Sequence, residues 1–439
     1  MVSECFVAQR EQTSVRTEVV AGITTFLTMA YIIFVNPAIL SAAGMDRQAL
    51  VIVTCIVSAI VTATTGLVAN APIAMAPGMG LNAFLSYSLV KAGQISWQTA
   101  LGVVFLSGLL GVVLTVVGLR RRLVEAIPVS LVAAIAVGIG LFITFIGLVN
   151  LGVIVNSEET LVTAGPLTAT VAIGLAGLLL MAFLEIRRIK GSLLLGIVFA
   201  TFLAVVFGHV EKPASLVSFS FDIRPVAFQL DILGALKWSL FGSIFTLMFM
   251  DMFDSIGTLV ACCHEAKMVD ENGKIRGLGR LLVIDAGASM LGAVFGTSTI
   301  TSYIESAAGI EQGGRTGLTA LVVALCFVVA LLFVPVVGIV PEYATAPALV
   351  MVGLFMIREI RRIDFNEMEE ALPAFIIIVM IALSYSISTG LAFGFISFVL
   401  MKLVAGKAKD VKPTMWVIAL LSLMFVTMDH LRTILNSIT

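Results

Sequence analysis

Four carboxylates stand inside long apolar stretches: Asp251, Asp254, Asp285 and Glu305. An ionisable side chain in such a place is costly and usually functional, as a solute ligand or a proton carrier. Asp251 and Asp254 are three residues apart in LMFMDMFDSIG, so both can approach one face of a helix. Glu305 follows GTSTITSY, a β-branched, hydroxyl-rich run suited to extended backbone. Carboxylates accept hydrogen bonds from N–H groups, and amides at a helix start donate to carbonyl oxygens or ring nitrogens. Two carboxylates beside such amides suit an uncharged, planar solute edged with donors and acceptors. The plainer alternative for each is a packing role: bonding freed backbone N–H groups, or, for Asp285, tying one helix to a neighbour. An intramembrane aspartyl protease would need its two aspartates on facing helices, whereas Asp251 and Asp254 share one.

The element that must carry the other side of such a site is 66–91, GLVANAPIAMAPGMGLNAFLSYSLVK. Proline lacks an N–H and clashes with the preceding turn, so Pro72 and Pro77 predict extended backbone, with a helix restarting near Gly78. Non-helical backbone at membrane depth survives only where protein covers it or a cavity needs it, and a span broken this way points to a transport site. Gly78-x-Gly80-x-x-Ala83 matches a dinucleotide fingerprint, but no βαβ pattern surrounds it.

The chain has 439 residues, 59% hydrophobic and 12% charged, against about 25% charged in soluble domains. Apolar runs of about 18 residues or more recur, which defines a polytopic protein of the lipid bilayer. A net charge of −1 argues against a nucleic-acid partner. Cys5, Cys55, Cys262, Cys263 and Cys326 form no spaced cluster, so no metal or other cofactor is expected and the thiols read as reduced packing groups. The first nineteen residues are polar, and no cleavable signal is expected. HEAKM (264–268) lacks the second histidine of a zincin, His209 and His430 read as interfacial, REIRRIDFNEMEE (358–370) as a solvated connector and DENGK (270–274) as a tight turn.

Fourteen spans are expected, from 17–43 to 388–405, with broken spans at 77–91 and 302–312 and a further apolar segment at 415–429. With the N-terminus inside, 20 of the 26 Lys and Arg fall on the inner side, against Arg47, Lys91, Lys212, Arg224 and Lys237 outside. The chain also repeats itself: TGLVANAPI (65–73) aligns with LGAVFGTST (291–299) at an offset of 226, and two further segment pairs follow in order. Seven spans per half is odd, so the halves must be inverted relative to each other. The same offset pairs Glu305 with Met79, placing Gly78, Gly80 and Asn82 opposite Glu305.

APGMGLNAF, MFMDMFDSIGTL (250–259 within it) and TSTITSYIESAAGI (297–310) together resemble the azaguanine-type purine permeases, from about Glu18 to about Val404. The resemblance implies proton-coupled uptake of a purine nucleobase at the cell membrane, and no enzymatic activity. It implies an all-α architecture with short strands before spans 3 and 10. It also implies a core domain (17–119 and 233–336), a gate domain (129–209 and 343–429) and a homodimer through the gate. Asp254 and Glu305 then match the two substrate-binding carboxylates, and Gly80 and Asn82 the third-span contribution. Met79, Phe84 and Ser302 complete the expected binding set, and Asp251 and Glu305 are the expected proton-coupling groups. The alternatives are another nucleobase or a small anion on the same fold, and a membrane-embedded hydrolase. An anion would favour a basic residue at the broken spans, and none lies in 70–90 or 297–312.

Overall fold

A computed structural model describes residues 13–118, 127–210, 215–269 and 275–438. The arginines at 120–122, the 270–274 turn and Cys5 lie outside them. The chain is mostly helical, and among the described residues ten helices are long and apolar enough to cross a membrane. In chain order the α-helices, long and short, are α1 (Val15–Met29), α2 (Ile32–Ser41), α3 (Arg47–Thr64), α4 (Met79–Ala83), α5 (Trp97–Val116), α6 (Val129–Leu151), α7 (Ala169–Ile186) and α8 (Ser192–Val206). The second half has α9 (Ile232–Ala235), α10 (Phe241–Glu265), α11 (Leu278–Phe295), α12 (Ser306–Glu311), α13 (Gly317–Ala330), α14 (Val334–Gly338), α15 (Glu342–Ile357), α16 (Met368–Ser384), α17 (Ile387–Val404) and α18 (Pro413–Ile438). Side-chain oxygens of Ser14, Asp46, Ser96, Thr168, Thr316 and Ser386 accept from first-turn amides and set where α1, α3, α5, α7, α13 and α17 begin.

Helices α1, α3 and α13 pack together, as do α5, α10 and α11; α6 packs on α15 and α16, α7 on α8 and α15, and α16 on α17. Two strands cross within this helical mass. β1 (Met75–Pro77) pairs antiparallel with β4 (Ile300–Ser302), register Met75 with Ser302 and Pro77 with Ile300. Both are buried throughout, so each supplies the backbone partners that lipid could not. The Gly78 amide extends the pairing to Thr299 O at 3.0 Å, and the Tyr303 amide to Ala74 O at 3.0 Å. Beyond Gly78 the chain turns helical again and continues as a π-type helix over Phe84–Ala92. Ser306–Gly309 keeps α12 slim enough to lie on α1: a Cβ at Gly309 would collide with Thr25 Oγ1 and Ala21 O.

Three features were not in the sequence reading. The first span breaks at Ala30–Tyr31 between α1 and α2. A hairpin, β2 (Ile154–Ser157) with β3 (Leu161–Ala164), follows α6. The last apolar segment forms a helix of 26 residues, longer than 415–429. The charged run at 358–370 is also more than a solvated connector. Glu369 is 13% exposed and its Oε1 accepts from Lys402 at 2.6 Å and Lys407 at 2.9 Å, pinning the start of α16 to the end of α17. At the opposite corner Glu18, 2% exposed, accepts from the Arg315 amide at 3.0 Å, the Thr316 amide at 3.4 Å and the Thr319 hydroxyl. Asn70 Oδ1 accepts from the Gly317 amide at 2.8 Å. The amides leading into α13 and the first amide of the helix are thus held by side chains from two distant segments.

Candidate functional site

The crossing strands aim two short helical starts, α4 and α12, toward α10. On α10 the Asp254 side is accessible, and Gly257 one turn on is accessible as well, although Asp254 lies deep within the fold. Thr301 of β4, Glu305 and Asp285 all lie within electrostatic or hydrogen-bonding range of Asp254. Glu305 stands at the start of α12 and is half-buried. Its Oε1 accepts a hydrogen bond from the Tyr31 hydroxyl at 2.5 Å. The Tyr303 hydroxyl donates to Pro77 O at 2.5 Å, locking β1 to the residue that follows β4. Met79 and Gly80, in the first turn of α4, are half-buried. First-turn amides have no partner within their own helix, so they are available as donors. A Cβ at Gly80 would stand 2.8 Å from Ile139 Cγ2 of α6.

The remaining expected site residues lie deeper. Asn82 is 0% exposed and donates to Asn36 Oδ1 at 2.6 Å; Asn36 in turn donates to Thr54 and Thr297. Phe84 and Ser302 are 1% and 4% exposed. The spacing of Asp251 and Asp254 brought them to adjacent sides of α10 rather than to one surface. Three residues turn a helix through about 300°, leaving roughly 60° between the side chains, and the boundary between crevice and helix packing falls in that gap. Asp251 faces α11, where its Oδ2 accepts from Ser289 Oγ at 3.1 Å. One turn further along α10, Ser255 Oγ donates to Asp285 Oδ1 at 2.6 Å. Each helix therefore gives one aspartate and receives one, four residues apart, and all four side chains are buried. Asp285 thus takes the helix-tying role.

Sequence reasoning missed Tyr31, Thr301 and the two serines. Tyr31 had a signal: a phenol buried in an apolar span needs a hydrogen-bond partner. Ser255 and Ser289 had one too, each sitting four residues from an aspartate. Cys55, Cys262 and Cys263 are buried thiols, and among the described residues no group of three or more His, Cys, Asp or Glu could hold a metal ion.

Two broken spans crossing as antiparallel strands, with half-helices directed at carboxylates in an apolar helical body, define a multi-pass membrane transport protein. The chain belongs to the permease family: the family's sequence model, Xan_ur_permease, matches residues 16–393. It is 42% identical to the adenine permease AdeP of Escherichia coli over 422 residues, covering 96% of this chain and 95% of that one. It is 39% identical to the guanine/hypoxanthine permease PbuO of Bacillus subtilis over 424 residues, covering 95% and 98%. Among solved structures it is similar to the transmembrane domain of the cyanobacterial bicarbonate transporter BicA, with a TM-score of 0.64 at 17% identity, covering 85% of this chain and 96% of that one. That likeness concerns the fold.

Proposed function

We propose that this permease imports a purine nucleobase (hypoxanthine, guanine or adenine) across the cell membrane together with protons, without chemical change to the base. The observation that carries the reading is the pairing of Asp254 on α10, accessible deep in the fold, with half-buried Glu305 at the start of α12, beside broken spans that hold no basic residue in 70–90 or 297–312. The similarity to the adenine permease AdeP and the guanine/hypoxanthine permease PbuO supports it. In this reading Asp254 and Glu305 accept the N–H groups of the base, and the α4 amides at Met79 and Gly80 donate to its acceptors. Asn82, Phe84 and Ser302 act from behind, fixing the backbone on which those groups sit. Glu305 or Asp251 takes up the coupled proton. Fourteen spans in two inverted repeats, with a cytoplasmic N-terminus, form a core (17–119 and 233–336) that moves against a gate (129–209 and 343–429). The separate packing of α6–α8 with α15–α17 supports that division, and the gate is the face proposed for a homodimer.

The test is uptake into proteoliposomes. An inward proton gradient should drive accumulation of hypoxanthine, guanine or adenine, with unlabelled bases competing. Accumulation that ignores a protonophore but requires sodium would refute the coupling, and no purine uptake or competition would refute the substrate.

A further inference from the structure

Tyr31 sits at the break between α1 and α2 and is 1% exposed. Its hydroxyl donates to Oε1 of Glu305 at 2.5 Å, and Thr28 of the same segment reaches the Glu305 backbone carbonyl at 3.4 Å. Among the described residues Tyr31 is the side chain bonded to that carboxylate, and the other group on it is Glu305's own backbone amide. A carboxylate offers about four lone-pair directions on two oxygens. A pair of adjacent N–H donors needs both oxygens turned toward it, as a guanidinium fork does. A single N–H needs only one.

We infer that Tyr31 is a positioning residue that holds one oxygen of Glu305 away from the substrate. The carboxylate then accepts one N–H, and a base presenting a single donor at this point is favoured over one presenting two adjacent donors. The inference rests on the purine reading of the site. Hypoxanthine offers a lone N1–H on its six-membered edge, whereas guanine adds the neighbouring 2-amino group and offers two donors side by side. The oxygen that Tyr31 holds cannot turn away from the phenol without breaking that hydrogen bond.

The experiment compares hypoxanthine and guanine binding to the purified full chain, as parent and as Tyr31→Phe. Phenylalanine keeps the ring and removes only the donor. Hypoxanthine should bind roughly tenfold more weakly, the size expected for one lost hydrogen bond to a charged group. Guanine should lose less, because the freed oxygen can take its second N–H, so the ratio of the two affinities should move at least about fivefold toward guanine. A purely structural Tyr31 would weaken both bases alike, and an unchanged ratio overturns the inference. Should Tyr31→Phe fail to fold, the parent protein decides: guanine binding more than about tenfold tighter than hypoxanthine is the gain expected of a two-donor contact and overturns it. A smaller preference, or none, supports it. Glu305→Gln separates this from the site reading. If the parent binds no purine, or Glu305→Gln binds it as the parent does, the placement of Glu305 in the site has failed, and the role of Tyr31 falls with it.

Discussion

Asp254 and Asp285 lie within electrostatic range of each other yet should respond oppositely to the same chemical change. Asparagine matches aspartate in size, removes the charge and turns one acceptor oxygen into a donor. At Asp254 the side chain is accessible, so the folded protein should tolerate the amide. A purine N–H would then meet an N–H, a mismatch of about 1–3 kcal/mol, which reads as roughly a tenfold to hundredfold loss of affinity. At Asp285, 0% exposed, the carboxylate accepts the Ser255 hydroxyl at 2.6 Å and lies in the cross-braced pair with Asp251 and Ser289. There the amide replaces a charge-assisted bond, and the loss of about 1.5–3 kcal/mol should fall on stability. Thermal unfolding in detergent and equilibrium binding of hypoxanthine, measured on both purified variants, give the two readouts. Asp254→Asn should melt with the parent and bind poorly; Asp285→Asn should melt earlier and, where folded, bind nearly normally. The reasoning is refuted if Asp254→Asn keeps parental affinity, or if the two variants lose stability equally.

Other outcomes follow from the same geometry. Glu305→Gln should weaken purine binding by roughly tenfold to a hundredfold if Glu305 accepts from the base; if it carries the proton, the variant should bind and exchange purine but no longer concentrate it, which counterflow measures. Gly80→Val should impair transport more than Gly108→Val does, with a smaller loss of stability, because its Cβ, at 2.8 Å from Ile139 Cγ2, presses on a side chain and not on backbone. Gly108→Val should mainly destabilise, since its Cβ would stand 3.0 Å from the Met290 amide and 3.2 Å from Ala286 O; uptake normalised to folded protein distinguishes the two. Glu18→Ala should lower the melting point by removing a buried acceptor of the Arg315 and Thr316 amides, just before α13, and of the Thr319 hydroxyl, a loss of about 1–3 kcal/mol; purine affinity of the folded fraction should not change.

Much of this architecture was legible because lipid restricts the choices. Pro72 and Pro77 forbade a continuous helix, and in a membrane that left covered extended backbone, which β1 supplies. The repeat offset found the opposing segment, and β4 lies there. The carboxylates stood out because charge is rare in such spans. The division between Asp251 and Asp254 was not legible, since a spacing of three gives the angle between two side chains but not where the neighbouring helix ends. The break at Tyr31 was also hidden: TMAYIIF carries no Gly or Pro there, and Pro37 falls inside α2. Asn82 was expected in the site because the repeat offset set it opposite Glu305 and the resemblance matched it to the third-span contribution; its amide is bonded to Asn36, 46 residues earlier.

The β1–β4 crossing also bears on how the chain is made. Met75 leaves the ribosome long before Ser302, its partner 227 residues later. At about 5–20 residues per second the interval is on the order of 10–45 s. Throughout it the backbone of 75–77 has no strand to pair with, and the bilayer offers none. The first half must therefore wait in a wet or protein-lined setting, such as the insertion machinery or the membrane surface, before its third span can settle. A stalled or truncated first half should be a quality-control substrate rather than a stable fragment, and supplying the second half as a separate polypeptide should rescue it.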